Sequence, residues 1–157
     1  MSRPVTPLIA ADCVIRLRDH DDCIVLIERA NPPYGLALPG GFVEIDETVE
    51  ATALREAGEE TGLQVTLTTL LGLYSAPGRD PRGATASAVY IAEAGGNPRA
   101  GDDAAAAFVV DPRQQGLRLA FDHGLILADY LRWLETGLTA PLRRGPVLSP
   151  DGGDAPC

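Results

Sequence analysis

GFVEIDETVEATALREAGEETGL, Gly41 to Leu63, brings Arg55, Glu56, Glu59 and Glu60 within less than two helical turns of one another. On a helix, side chains three and four positions apart are surface neighbours, roughly 5–6 Å between Cβ atoms. Glu56, Glu59 and Glu60 therefore converge on one face, and Arg55 is the i+4 partner of Glu59. Carboxylates this close repel one another at neutral pH unless a cation sits among them. Mg²⁺ takes oxygen ligands of this kind and fills its other positions with water and substrate phosphate. The pattern predicts a magnesium cradle for a phosphate ester. In isolation, such a charge run would more often be a solvated helix face.

The flanking residues favour the cradle. Pro39-Gly40-Gly41 lets the backbone turn sharply and approach a ligand closely. Asp46 is a suitable N-cap for a helix starting at Glu47, with acids near the positive end of the helix dipole. Gly62 is a natural residue to end it. Gly58 goes against the trend, since glycine inside a helix costs about 1 kcal/mol relative to alanine; close packing there, or simple tolerance, would account for it.

The chain has 157 residues, which predicts one domain with a real core, and a formal charge of −9. That charge argues against a nucleic-acid partner, which needs a basic surface. An anionic substrate must instead be met by metal and a few arginines. All 13 basic residues are arginine, which excludes a Walker-type lysine and Schiff-base chemistry. His20 and His123 are too isolated to suggest zinc. Cys13 and Cys23 lie in apolar runs and read as small core residues. The odd cysteine count predicts a reduced, cytoplasmic protein. No apolar run approaches the ~20 residues needed to span a bilayer, so no membrane association is expected.

Leu8–Arg18 and Cys23–Arg29 read as a β-hairpin around Asp19-His20-Asp21-Asp22. Asn31–Gly35 breaks structure, and Leu36–Gly41 leads into the helix. Gln64–Tyr74, Ala86–Ala92 and Ala105–Val110 read as strands, with a turn over Gly95–Gly101. Phe121–Leu134 has helical spacing, in which Tyr130 and Trp133 are core or interface residues. The domain is expected over residues 1–136, followed by a Pro/Gly-rich, disordered tail over 137–157.

Gly41, Glu47, Arg55, Glu56, Ala57, Glu59, Glu60, Gly62 and Leu63 fall in register with the signature of the Nudix hydrolases, which the chain resembles over residues 8–135. Ala57 stands where a larger aliphatic is common. The resemblance implies an α/β fold, a Nudix-type α/β/α sandwich with a mixed β-sheet. It also implies that Glu56, Glu59 and Glu60, with the carbonyl of Gly40, hold Mg²⁺ (or Mn²⁺), that Arg55 orients the glutamates, and that Gly41, Glu47 and Gly62 are structural.

Arg79-Asp80-Pro81-Arg82-Gly83 is similar to a loop common among Nudix ADP-ribose pyrophosphatases, although Ala84 stands where that group often has histidine. Arginine grips phosphate oxygens bidentately. This makes Arg79 and Arg82 candidate substrate contacts, together with Arg29 and with Phe121, which could stack on a base or sit in the core. Asp102-Asp103 resembles that group's acidic loop, and Asp122 reads as the N-cap of the last helix.

The implied reaction is hydrolysis of a nucleoside diphosphate linked to another group, with ADP-ribose giving AMP and ribose 5-phosphate. A carboxylate takes the proton of the attacking water, Glu56 as first candidate and Asp103 as second. The alternatives are a house-cleaning nucleoside triphosphate pyrophosphatase and a non-catalytic nucleotide sensor. The intact signature favours an enzyme, and the resemblance also suggests a homodimer.

Overall fold

The computed structural model describes residues 1–101 and 104–144. Strand β1 (Leu8–Leu17) organises the sheet. Its alternation sends Ala11, Cys13, Ile15 and Leu17 into one apolar layer and Val14 into another. Strand β2 (Ile24–Arg29) does the same, Val25 facing one layer and Ile24 and Leu26 the other. A strand apolar on both faces must be covered on both.

One edge of β1 pairs in parallel with β6 (Thr85–Ala94), from Leu8↔Thr85 to Leu17↔Ala94. The other edge is shared. It meets β2 antiparallel at Arg16↔Ile24 and β4 (Gly40–Phe42) antiparallel over Ala10↔Phe42, Ala11↔Gly41 and Asp12↔Gly40. Strand β3 (Leu36–Ala37) and strand β7 (Ala104–Val110) pair with β2, and β5 (Thr66–Tyr74) pairs with β6. The sheet is therefore mixed, as expected. The short β3 and β4 were not foreseen, because a Pro-Gly-Gly stretch carries no strand signal of its own.

Helix α1 (Val49–Thr61) covers one face through Ala53 and Ala57, and α2 (His123–Thr136) covers the other through Ile126, Leu127 and Tyr130. The α/β/α sandwich follows from these two layers. Ala57 is fully buried, so the small residue in the signature suits the close seating of α1. Gly58 is not there for packing, since a Cβ would meet only the Leu63 carbonyl at 3.9 Å.

Helix α1 ends as expected at Gly62, which adopts φ 69° and donates to the Gly58 carbonyl. Its start differs from the expectation. Thr48, not Asp46, is the N-cap, and its hydroxyl accepts from Ala51 N–H at 3.1 Å. Asp46 instead turns through φ 69°. This leaves Glu47 outside the helix, where its carboxylate accepts from the Glu44 N–H and the Thr52 hydroxyl. Helix α2 begins at His123 rather than Phe121, because Phe121 sits at φ 56°, a left-handed backbone that no helix accommodates.

Beyond α2 the chain packs back onto the domain as far as Arg143. Ala140 N–H donates to the Leu71 carbonyl at 2.8 Å, and Arg143 pairs bidentately with Asp129 at 2.7 Å for each bond. The Tyr74 hydroxyl donates to the same carboxylate at 2.7 Å. A buried carboxylate needs such partners, and residues 138–144 supply one. Residues 145–157 lie outside the described residues. No described helix is long and apolar enough to cross a membrane.

Arg143→Ala leaves the Asp129 carboxylate to Tyr74 alone. It is expected to cost about 1.5–3 kcal/mol, the range for a hydrogen bond to a charged group, read as a lower midpoint in thermal or urea unfolding. Arg144→Ala, at an exposed position, should leave the midpoint unchanged. Equal behaviour of the two variants would show that the strap does not hold.

Candidate active site

The register of β4 against β1 places Gly40 opposite Asp12 and Gly41 opposite Ala11. Neither glycine could carry a side chain without disturbance. A Cβ on Gly41 would overlap the Glu56 carboxylate, and one on Gly40 would overlap Asp12 and the Ala11 carbonyl. Carboxylates thus lie directly against bare backbone. Gly40 N–H donates to Glu60 Oε2 at 2.9 Å, which ties α1 to β4.

Arg55 braces this arrangement. Its guanidinium donates to both Glu47 oxygens at 2.8 and 3.0 Å, to Glu56 Oε1 at 2.7 Å, to Glu59 at 3.3 Å and to the Phe42 carbonyl at 3.3 Å. Hydrogen bonds from Arg55 and Thr52 hold the Glu47 carboxyl down at about 2. Glu56 and Glu60 behave in the opposite way. Burial raises Glu56 despite Arg55. Burial pushes Glu60 up to about 8, opposed by the Gly40 N–H and reinforced by the charges of Glu56 and Asp12.

Two half-buried carboxylates that resist ionisation, set against glycine backbone, form an oxygen-rich cradle that suits a hard divalent cation. Among the described residues, no three His, Cys, Asp or Glu side chains close into a metal cage. Mg²⁺ does not require one, since it binds through one or two carboxylates and retains waters and phosphate oxygens. Glu56, Glu60 and the Gly40 backbone are the groups that could hold such an ion from within. The Glu59 side chain is 58% exposed against 16% for Glu56, so the three glutamates share a face without sharing a depth.

A cleft opens beside the cradle, lined by Gly40 and Gly41 and by all four expected substrate contacts, Arg29, Arg79, Arg82 and Phe121. Arg29 donates to the Pro33 carbonyl at 2.7 Å and lies 4.7 Å from the Phe121 ring centroid; Arg82 lies 5.2 Å from that centroid. The ring is therefore already engaged with two cations. Arg82 pairs with Asp80 at 2.8 Å yet remains 46% exposed. Arg79 is only 5% exposed. It grips both Asp122 oxygens at 2.9 and 2.7 Å and donates to Thr85 Oγ1 at 3.0 Å. Asp122 holds the N-cap position of α2 through its backbone alone, its carboxylate having turned to Arg79. Asp103 lies outside the described residues.

Two cleft residues were missed from sequence. Asp12, buried on β1, accepts from the Ser87 hydroxyl; the available signal was an acid inside an apolar run. His123 accepts the Leu38 N–H on Nδ1 at 3.0 Å, a contact across 85 positions that sequence spacing does not reveal.

The family model described as NUDIX domain matches residues 6–134. An ADP-ribose pyrophosphatase of Methanocaldococcus jannaschii is 48% identical over 130 residues, covering 81% of this chain and 75% of that protein. The NUDIX domain of Shewanella oneidensis NrtR, solved as a cocrystal with ADP ribose, superposes with a TM-score of 0.73 at 25% identity, over 83% of this chain and 90% of that one. A MutT/nudix family protein from Enterococcus faecalis superposes with a TM-score of 0.74 at 28% identity, over 86% of this chain. This chain spans 65% of that protein, slightly under two thirds of its length.

Arg55→Lys keeps the charge and loses the fork that reaches several acceptors at once. Turnover is expected to fall on the order of 10²-fold with little change in KM, because misplaced ligands damage the transition state more than ground-state binding. A change confined to KM would make Arg55 a substrate contact instead.

Proposed function

Since the chain belongs to the Nudix family, we propose that it hydrolyses ADP-ribose to AMP and ribose 5-phosphate with Mg²⁺, which Mn²⁺ could replace. The observation that carries this reading is the carboxylate cradle at Gly40–Gly41 opening onto a cleft lined by three arginines. The similarity to an ADP-ribose pyrophosphatase over most of the chain, and to a domain crystallised with ADP ribose, supports the choice of substrate.

In this reading, Glu56, Glu59 and Glu60 hold the ion, Glu59 from the exposed side, with the Gly40 carbonyl as a further donor. When bound, the cation neutralises charge on the diphosphate and acidifies the attacking water. Glu56 is the first candidate to accept that water's proton. Asp103 is the second candidate for this step. Arg55 and Glu47 fix the carboxylates. Arg82 and Arg29 meet substrate oxygens across the cleft, while Arg79, committed to Asp122 and Thr85, shapes the loop from beneath.

A homodimer in the reduced cytoplasm completes the proposal. Its support is the terminal place of β5 in the sheet, where Leu70 is 51% and Leu73 67% exposed.

A hydrolysis screen with Mg²⁺ over ADP-ribose, NADH, diadenosine polyphosphates and nucleoside triphosphates tests the substrate. AMP and ribose 5-phosphate from ADP-ribose are the expected products; a preference for releasing pyrophosphate from triphosphates would replace this reading. Arg82→Ala should lower kcat/KM toward ADP-ribose roughly ten- to 150-fold, the worth of one charge-assisted hydrogen bond, with a much smaller loss on triphosphates. Equal losses on both would remove Arg82 from substrate selection.

A further inference from the structure

His123 opens α2 and is only 3% exposed. Its Nδ1 accepts from the Leu38 N–H at 3.0 Å, so that nitrogen carries no proton and the neutral ring must carry its proton on Nε2. Burial lowers the imidazole's proton affinity. The ring is fixed from three sides. Leu38 holds Nδ1, the Phe121 ring lies 5.2 Å away, and the adjoining Asp122 is locked by the paired bonds from Arg79.

The Nε2–H, in contrast, has no protein partner among the described residues. It is not sealed in either. The buried side-chain polar atom that is both sealed and unpartnered there is the Tyr130 hydroxyl, whereas His123 forms part of the cleft wall. A donor on the cleft wall that no protein group has claimed is open to an acceptor that enters the cleft and displaces water from it. The left-handed backbone at Phe121, two residues earlier, is an unfavourable feature at the same wall. Such strain concentrates where a ligand is gripped.

Building on the ADP-ribose reading, we propose that His123 is a specificity-determining contact. It is a neutral imidazole held in one tautomer that donates from Nε2 to an uncharged acceptor atom of the bound nucleotide. Arg29 and Arg82 serve anionic oxygens in the same cleft. A neutral, rigid donor adds discrimination between ligands that present an acceptor at this point and ligands that do not, because the latter leave the donor unpaired. The acceptor belongs either to the adenosine half or to the terminal ribose half of the substrate.

Two variants separate the two ends of the ring. In His123→Asn, the amide oxygen replaces Nδ1 as acceptor for Leu38, and the cleft donor is lost. In His123→Gln, the amide N–H reaches toward the position of Nε2, and the Leu38 bond is lost. Calorimetric titrations of wild type and both variants with AMP and, separately, with ribose 5-phosphate are combined with long-range ¹H–¹⁵N spectra of the wild-type imidazole.

The expected result is a neutral Nε2–H tautomer. His123→Asn should bind one of the two halves at least tenfold more weakly, and His123→Gln should lie closer to wild type for that half despite a lower melting temperature. The affected half identifies the acceptor. An Nδ1–H or doubly protonated ring at neutral pH overturns the inference. So does His123→Asn binding both halves as tightly as wild type, or losing both equally. Wild-type protein that binds neither half overturns the substrate reading and the inference with it, an outcome distinct from normal wild-type binding that His123→Asn leaves intact.

Discussion

The close approach of buried carboxylates to the bare backbone of Gly40 and Gly41 is the constraint on which the site depends. Glu56 lies where a Gly41 Cβ would be and Asp12 where a Gly40 Cβ would be, while Glu60 accepts the Gly40 N–H. This contact sets how tightly α1 can sit on β4, and the small Ala53 and Ala57, buried between the helix and the sheet, match that distance. It also creates an electrostatic problem, since carboxylates near one another in a half-buried setting resist ionisation. Arg55 offsets part of it from the side of Glu47 and Glu56. The remainder is what a divalent cation would neutralise.

The cleft beside the cradle follows from the same geometry. Strand β1 gives one edge to β2 near Arg16 and to β4 near Asp12, so the sheet surface is interrupted where the glycines lie. Loop residues Arg79 and Arg82 and the segment leading into α2 complete the wall. In a chain of net charge −9, the arginines facing this cleft form a local exception to the acidic whole. Two of them flank the ring of Phe121. Arg29 is bound to a carbonyl, whereas Arg82 pairs with Asp80 and stays half exposed.

What the sequence revealed and what it hid divide along the range of the interactions. The carboxylate face, the Gly62 stop and the two-faced strands depend on residues within a few positions, and each was legible. Tertiary demand overrode local preference elsewhere. Asp46 has the better propensity for a cap, but Glu47 is needed outside the helix to meet Arg55 and Thr52, so Thr48 caps instead. Asp122 has a capping side chain, and Arg79, 43 positions away, takes it. Spacing alone could not distinguish the depth of Glu59 from that of Glu56, because the difference is made by β4 covering one and not the other. The strap through Arg143 was invisible for a similar reason. Its composition resembles a tail, and the buried Asp129 and the Leu71 carbonyl give it something to bind.

The central claim is that the glycine backbone and the Glu56 carboxylate together make a cation site. Mn²⁺ binding, followed by electron paramagnetic resonance on wild type and Gly41→Ala, tests it most directly. The three atoms nearest the added methyl all belong to the end of the flexible Glu56 side chain, so the fold should survive with its melting temperature nearly unchanged while Glu56 is pushed aside. Mn²⁺ affinity at least tenfold weaker than wild type is the predicted result. Unaltered Mn²⁺ affinity in a folded Gly41→Ala protein would contradict it.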